Sequence, residues 1–211
     1  MMRQGSLVVV SGFSGVGKGT VIQSLMEKSD LYALSISATT REPRPQETDG
    51  IEYFFVSEQR FNEMIRNNEL IEFASYCDNF YGTPRGFVEE QMKLGKDVIL
   101  EIETQGAKKI RRQYPDALLV FIMPPSGEEL RSRLAGRGSE SDRVIEQRLR
   151  RAGKESESIK DYSYVFFNDD AQECAQELHH LIQAQRNRIE RNSDKIREVC
   201  NELFGYLKGE E

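Results

Sequence analysis

The sequence has no tryptophan, only two histidines and only three cysteines in 211 residues. The histidines, His179 and His180, are adjacent, so they cannot supply the spaced ligands of a zinc site. A hydrolase with a histidine base would need one of them, and neither sits in a supporting motif. Cys77, Cys174 and Cys200 are scattered, with no CxxC pair, and read as reduced thiols of a cytoplasmic protein rather than a disulfide framework. No apolar run approaches the ~20 residues of a membrane helix. The first apolar run, Leu7 to Val10, is too short for a signal peptide. Excess positive charge is missing too: 29 basic against 35 acidic residues give −6. That balance argues against non-specific nucleic-acid binding, but leaves room for an anionic small molecule held by local arginines. With 38% apolar and 30% charged residues, the composition is that of a soluble globular protein, one domain with lobes inserted into it.

The order of segments points to an α/β fold. Leu7 to Ser11 (LVVVS) is a short β-branched run fit for a strand buried on both faces. A glycine-rich stretch follows, then a helical pattern from about Lys18 to Lys28. Asp97 to Glu103 and Leu118 to Met123 are further buried-strand candidates, with a helical segment, Thr104 to Tyr114, between them. Tyr164 to Phe167 is another strand candidate, and a helix begins soon after Asp170. Such alternation predicts a parallel sheet. Two stretches interrupt it. From Ser37 to about Gly95, short alternating runs with prolines and glycines predict a small mixed lobe with antiparallel strands. From about Ser126 to Ser158 the chain is polar, helical and arginine-rich: Arg131, Arg133, Arg137, Arg143, Arg148, Arg150 and Arg151. From Ala171 to about Leu207, apolar residues at helical spacing (Leu178, Leu181, Ile182, Ile189, Ile196, Val199, Leu203) predict one long helix or two.

Gly12-Phe13-Ser14-Gly15-Val16-Gly17-Lys18 lies between the first strand and the first helix. Glycines there let backbone N–H groups turn toward phosphate oxygens. The helix start adds partial positive charge, and Lys18 supplies a point charge for the β- and γ-phosphates. The usual Ser or Thr after the lysine is replaced by Gly19, with Thr20 one place on. A Mg²⁺ ion would then be carried mainly by nucleotide and water, with Thr20 as the one candidate protein ligand. The second cluster, Ser37-Ala38-Thr39-Thr40-Arg41-Glu42-Pro43-Arg44-Pro45, holds two arginines three apart among prolines that stiffen the backbone. Arginine forks suit phosphate oxygens.

Taken with Asp49-Gly50-Ile51-Glu52-Tyr53-Phe54-Phe55-Val56, Ile71-Glu72-Phe73-Ala74, Asn79-Phe80-Tyr81-Gly82-Thr83, Leu100-Glu101-Ile102-Glu103-Thr104-Gln105-Gly106, Pro124-Pro125-Ser126, Arg133-Leu134-Ala135-Gly136-Arg137-Gly138 and Asn168-Asp169-Asp170, these motifs resemble the guanylate kinase family, in order, from about Leu7 to near Arg186. The resemblance implies a P-loop nucleoside monophosphate kinase fold. Its core would be 1–36, 96–125 and 159–211, with an inserted GMP-binding lobe at 37–95 and a helical lid at 126–158. It implies ATP plus GMP giving ADP plus GDP, with Mg²⁺ accompanying ATP. ATP would lie on Gly12, Phe13, Ser14, Gly15, Val16, Gly17, Lys18, Gly19 and Thr20, with Asn168 bordering the adenine. Ser37, Glu72, Thr83 and Glu101 would read guanine; Arg41, Arg44, Tyr53 and Tyr81 would hold the GMP phosphate. Lys18, Arg133, Arg137 and Arg148 would stabilise the transferring group.

The chemistry agrees with that assignment. One carboxylate such as Glu72 accepts both guanine N1–H and N2–H₂, a donor pair that adenine lacks. The family often has aspartate at positions 101 and 103, where this chain has glutamate and reaches one methylene further. Arg131, Arg143, Arg150 and Arg151 read as a solvated helix surface with ion pairs. Two rivals remain: a catalytically inactive guanylate-kinase-like protein-binding module, and another small P-loop kinase, since Gly19-Thr20 is similar to adenylate kinases. Neither a nucleic acid nor a membrane is expected as partner, and the pattern neither requires nor excludes a homo-oligomer.

Overall fold

The computed structural model describes residues 4–76, 78–136 and 141–207. The β-branched run at the start forms strand β1 (Leu7–Gly12). It pairs in parallel with β7 (Asp97–Glu101) on one side and β8 (Leu118–Met123) on the other. Strands β2 (Tyr32–Leu34) and β9 (Tyr164–Phe167) add outer parallel pairings, giving the order β2-β7-β1-β8-β9. Successive side chains of a strand point to opposite faces. Val8 and Val10 therefore pack with Val21, Ile22 and Leu25 of helix α1 (Lys18–Met26) and with Leu178 and Ile182 of α7 (Ala171–Arg186). Leu7 and Val9 pack on the other face with Ala107 and Ile110 of α4 (Thr104–Gln113) and Val88 of α3 (Arg85–Lys93). Each side chain of this kind, fully buried, contributes about 1.5–3 kcal/mol. Two covered faces explain why β1 reads as a continuous apolar run rather than an alternating one. The edge strand β9 is covered less, and Tyr164, Val165 and Phe167 are exposed.

The interrupting lobe holds a second, mixed sheet of order β4-β3-β6-β5. It comprises β3 (Ala38–Thr39), β4 (Phe54–Phe55), β5 (Leu70–Tyr76) and β6 (Asn79–Pro84). The β5–β6 and β3–β6 pairings are antiparallel, as the alternating runs predict; β3–β4 is parallel. Helix α2 (Glu58–Arg66) begins where the Ser57 hydroxyl accepts a hydrogen bond from the Arg60 amide, and it buries Phe61 and Met64, three apart, against Ala38 and Leu70. The lobe is anchored to the parallel sheet through α4: Gln113 donates to the Ile71 carbonyl at 2.8 Å and Lys109 to the Phe73 carbonyl.

The arginine-rich segment forms α5 (Gly127–Ala135), capped by the Ser126 hydroxyl, and α6 (Asp142–Glu155). Arg131 pairs with Glu146 from one helix to the other at 2.7 Å. The C-terminal region is two helices, α7 and α8 (Ser193–Leu207), separated by a 3₁₀ turn (Ile189–Asn192). Asp170 caps α7 by accepting from the Gln172 and Glu173 amides. The apolar stripe read across this region divides: Leu178 and Ile182 are core, whereas Ile189, Ile196, Val199 and Leu203 are exposed. No helix among the described residues is long and apolar enough to cross a membrane.

Candidate functional site

The glycine loop lies at the carboxyl end of the central strand, where open parallel sheets bind ligands. Gly15 and Gly17 hold φ of 89° and 93°, left-handed values that side chains with a Cβ rarely adopt. At Gly17, the cap of α1, a Cβ would also lie 2.7 Å from Asn168 Nδ2. Lys18, the first residue of α1, folds back and donates to the Gly12 and Phe13 carbonyls at 2.9 and 3.3 Å. Phe13 and Val16 bury their side chains, Phe13 edge-on to Phe121, so they offer only backbone to a ligand. Gly19 and Thr20 are exposed on the first turn of α1. Asn168 is buried beneath the loop, where its Nδ2 donates to the Val16 carbonyl at 2.8 Å and its Oδ1 has no partner among the described residues.

Two arginines of the helical segment reach this loop. Arg148 Nη1 donates to Ser14 Oγ at 3.1 Å. Arg133 Nη1 donates to the Val16 carbonyl at 3.2 Å, while its Nε pairs with Glu129 at 2.7 Å. Arg137 lies outside the described residues. Arg151, read from sequence as a surface residue, pairs with Glu155 four positions on, at 2.6 Å, and also reaches Glu103 at 3.4 Å.

Next to the loop a cleft of about 290 Å³ opens between the two sheets. Lys18, Ser37, Arg41, Arg44, Tyr53, Glu72, Tyr81 and Glu101 all line it, so seven of the eight residues read as the GMP set share one space with the loop lysine. The eighth, Thr83, is fully buried and donates its hydroxyl to Glu72 Oε1 at 2.7 Å. It therefore supports Glu72 rather than facing the cleft. Glu72 is itself buried on β5, and loss of hydration pushes its carboxyl up to about 7 against the opposing pull of the Thr83 hydroxyl and Lys109. Its second oxygen fits because residue 106 is glycine: a Cβ there would stand 2.4 Å from Glu72 Oε2.

Also lining the cleft, Arg41 lies 5.4 Å from the centroid of the Tyr53 ring and 5.7 Å from that of Phe55. Tyr53 and Tyr81 meet edge to face at 5.9 Å. Burial, with the charge of Glu101 second, raises the Tyr53 hydroxyl above its ordinary value, which keeps it a neutral donor at neutral pH. The cleft thus combines the buried carboxylate of Glu72 with two arginines and two phenols. Such an arrangement suits a ligand with adjacent N–H donors and an anionic group.

The carboxylates near Lys18 are Glu101 and Glu103, at the end of β7. The sequence reading carried the strand through Glu103, but it ends at Glu101, and Glu103 becomes the residue that starts α4. Burial pushes the Glu103 carboxyl up, opposed first by Lys18. Among the described residues no group of three or more His, Cys, Asp or Glu could hold a metal ion unaided. Hard oxygen donors are nevertheless present in Glu101, Glu103 and Thr20. They suit an ion that brings most of its own ligands, as Mg²⁺ on a triphosphate does.

The family model described as guanylate kinase matches residues 4–185. The chain is 45% identical over 201 residues to the guanylate kinase of Clostridioides difficile (strain 630), covering 95% of this chain and 98% of that protein. It is 45% identical over 199 residues to the guanylate kinase of Caldanaerobacter subterraneus subsp. tengcongensis, covering 93% and 97%. Among solved structures, the guanylate kinase from Anaplasma phagocytophilum superposes with a TM-score of 0.76 at 33% identity, over 90% of each chain.

Proposed function

The chain belongs to the guanylate kinase family, an ATP:GMP phosphotransferase that converts ATP and GMP to ADP and GDP, and from that premise we propose how its residues divide the work. ATP lies on the loop 12–20, with phosphates against the loop amides and Lys18. GMP fills the neighbouring cleft. Glu72 accepts guanine N1–H and N2–H₂, Ser37 and Glu101 complete the base contacts, and Thr83 holds Glu72 in place. Arg41, Arg44, Tyr53 and Tyr81 clamp the phosphate. The observation that carries this reading is the shared cleft, which Lys18, Glu72 and Arg41 line together.

Phosphoryl transfer asks for positioning and charge neutralisation more than for covalent chemistry. A phosphate monoester loses its second proton near pH 6, by about, so the GMP phosphate is a ready nucleophile and needs no histidine base. Attack on the ATP γ-phosphorus is in line. Lys18 takes charge on the triphosphate side, while Arg133, Arg137 and Arg148 gather charge on the transferring group from the lid. The contacts of Arg133 and Arg148 with the loop support their part. Glu103, with Thr20 on the first turn of α1, would hold a Mg²⁺ ion brought by ATP and its waters, and the ion would supply charge neutralisation on the triphosphate. Closure of the lid excludes water, which would otherwise take the phosphoryl group.

We assign residues 37–95 as the GMP-binding lobe, 126–158 as the lid and the remainder as core, with α3 fastening the lobe to the core through Val88. Asn168 holds the loop from beneath through Val16, and its Oδ1, without a partner among the described residues, faces the adenine in this reading. Conversion of a nucleotide monophosphate pool is a task of the cytoplasm, and no membrane or nucleic-acid partner is proposed.

Separate binding titrations test the division. Lys18→Ala should weaken ATP and leave GMP affinity nearly unchanged; Arg41→Ala should do the reverse. Loss of both ligands in both variants, with the fold intact, would contradict two adjoining sites.

A further inference from the structure

The phosphate clamp contains a carboxylate that the nucleotide reading leaves without a role. Glu47 lies in the exposed loop after the two arginines, six residues beyond Arg41, yet its side chain is only 13% exposed. Its two oxygens meet Arg41 at both terminal nitrogens: Oε2 lies 2.8 Å from Nη1 and Oε1 lies 2.8 Å from Nη2. Oε2 also accepts from the Arg44 backbone amide at 2.8 Å. The Glu47 amide in turn donates to the Arg44 carbonyl at 2.9 Å, which closes the turn. Arg41 Nη1 donates to the Glu42 carbonyl at 2.7 Å.

A guanidinium has five N–H donors in a fixed plane. Glu47 lies across the Nη1/Nη2 end of that plane and takes an Nη2–H, while the Glu42 carbonyl takes an Nη1–H. Nε–H and the second Nη2–H lie along the edge away from Glu47 and point the same way. That pair is the fork a phosphate accepts bidentately. The Tyr81 hydroxyl, a phosphate-clamp residue, is a further partner of Arg41. Ring faces of Tyr53 and Phe55 limit tilting of the plane. The hydrogen bond from Arg41 holds the Glu47 carboxyl below its ordinary value, so the anchor is charged wherever the enzyme works.

We propose that Glu47 is the positioning residue of the GMP phosphate clamp: it holds the Nη1/Nη2 edge of Arg41, ties Arg41 to the Arg44 turn, and turns the Nε/Nη2 edge to the phosphate. The proposal rests on the reading of Arg41 as a phosphate ligand. Glu47 touches no substrate. Its effect is to fix one orientation of a long side chain before GMP arrives, so that less rotamer freedom is lost on binding.

The opposite role is physically available, and it predicts the opposite sign. A carboxylate beside an anion site repels phosphate. If Glu47 were a placeholder competing for Arg41, its removal would tighten GMP binding. The experiment measures GMP and guanosine affinity for the wild type, Glu47→Gln, Glu47→Ala, Arg41→Ala and the double variant Arg41→Ala/Glu47→Ala, with melting temperatures as a check on folding. Guanosine has the base without the phosphate.

Positioning predicts that Glu47→Ala weakens GMP roughly ten-fold, the loss of about one charge-assisted hydrogen-bond pair. Glu47→Gln, which keeps the shape and one acceptor, should fall between wild type and Glu47→Ala. Guanosine affinity should change less than about two-fold, and the turnover defect should appear in KM for GMP rather than in kcat. On the Arg41→Ala background, Glu47→Ala should add little, since there is no guanidinium left to orient. Tighter or unchanged GMP binding in Glu47→Ala overturns the proposal, as does an equal loss for guanosine or an equal loss on the Arg41→Ala background. If Arg41→Ala itself left GMP affinity unchanged, the clamp reading would fail first and the role of Glu47 with it.

Discussion

If Glu72 reads the base, as proposed, recognition depends on pH. The guanine donors need an ionised carboxylate, yet burial pushes the Glu72 carboxyl up to about 7 in the free protein. At that value it is about one-tenth ionised at pH 6 and about nine-tenths ionised at pH 8. Guanosine carries no phosphate to titrate, so its affinity should rise about ten-fold between pH 6 and pH 8 and level off above. The sign follows from linkage: the ligand binds the deprotonated form, so binding releases a proton at pH 6 and almost none at pH 8. GMP adds a second, smaller dependence, because its phosphate is about half ionised in its second step near pH 6. Calorimetry in two buffers of different ionisation enthalpy reads both affinity and proton release. Glu72→Gln removes the titrating group and should leave guanosine affinity weak and flat with pH. A flat wild-type profile, or the same slope in Glu72→Gln, would refute the assignment of Glu72 as the base reader. Stability should move the other way. A carboxyl raised on folding stabilises the protein less as pH climbs from the ordinary glutamate range to about 7. Ligand-free Glu72→Gln, which retains an acceptor for Thr83, should therefore melt higher than wild type at pH 8 and lose that advantage at low pH.

Other expected outcomes touch separate parts of the molecule. Lys18→Ala should lower kcat by at least ~100-fold, the scale of a lost electrostatic contact in the transition state, with an unchanged circular dichroism spectrum; near-normal turnover in a coupled assay would place the catalytic charge elsewhere. Gly106→Ala puts a Cβ 2.4 Å from Glu72 Oε2, so it should weaken GMP while sparing ATP; equal GMP affinity would show that Glu72 can shift without cost. Asp97 is fully buried, pairs with Arg186 at 2.7 Å and accepts the Ser6 amide. Asp97→Ala leaves that arginine unpaired and should cost about 3–5 kcal/mol in denaturant unfolding, with both KM values unchanged in the surviving folded fraction. A loss under 1 kcal/mol, by order of magnitude, would mean that water reaches the pair.

What was legible in the sequence was local. The run LVVVS, the glycines and Lys18 lie within a dozen residues, and their order is enough to predict strand, anion-binding turn and helix. The Ser37 to Pro45 cluster alone fits a solvated basic loop as well as a phosphate clamp, and only the other motifs in order favour the clamp. Residues coupled across the fold were not legible. Glu47 looks like a loop carboxylate until the turn at Arg44 brings it onto Arg41. Arg151 looks like any arginine on a helix surface until α6 meets the end of β7 at Glu103. Thr83 sits among the expected guanine readers, but its alternation on β6 turns the hydroxyl inward to Glu72. The role of Gly106 depends on a carboxylate 34 positions earlier, on another sheet. At the C-terminus, spacing alone left one helix or two. The break comes at Asn187, with a 3₁₀ turn and no proline to mark it, and the apolar positions beyond it leave the core for the surface.

The most direct test of a guanine-selective phosphoryl-transfer cleft is steady-state turnover with ATP, Mg²⁺ and each of GMP, dGMP, AMP and UMP, for the wild type and Glu72→Gln side by side. The wild type should convert GMP to GDP with stoichiometric ADP, and kcat/KM for AMP should be lower by several orders of magnitude, roughly the ratio that hydrogen-bond readout supports. Glu72→Gln should narrow that ratio chiefly by losing GMP. Comparable turnover of GMP and AMP by the wild type, or an unaltered ratio in Glu72→Gln, would contradict it.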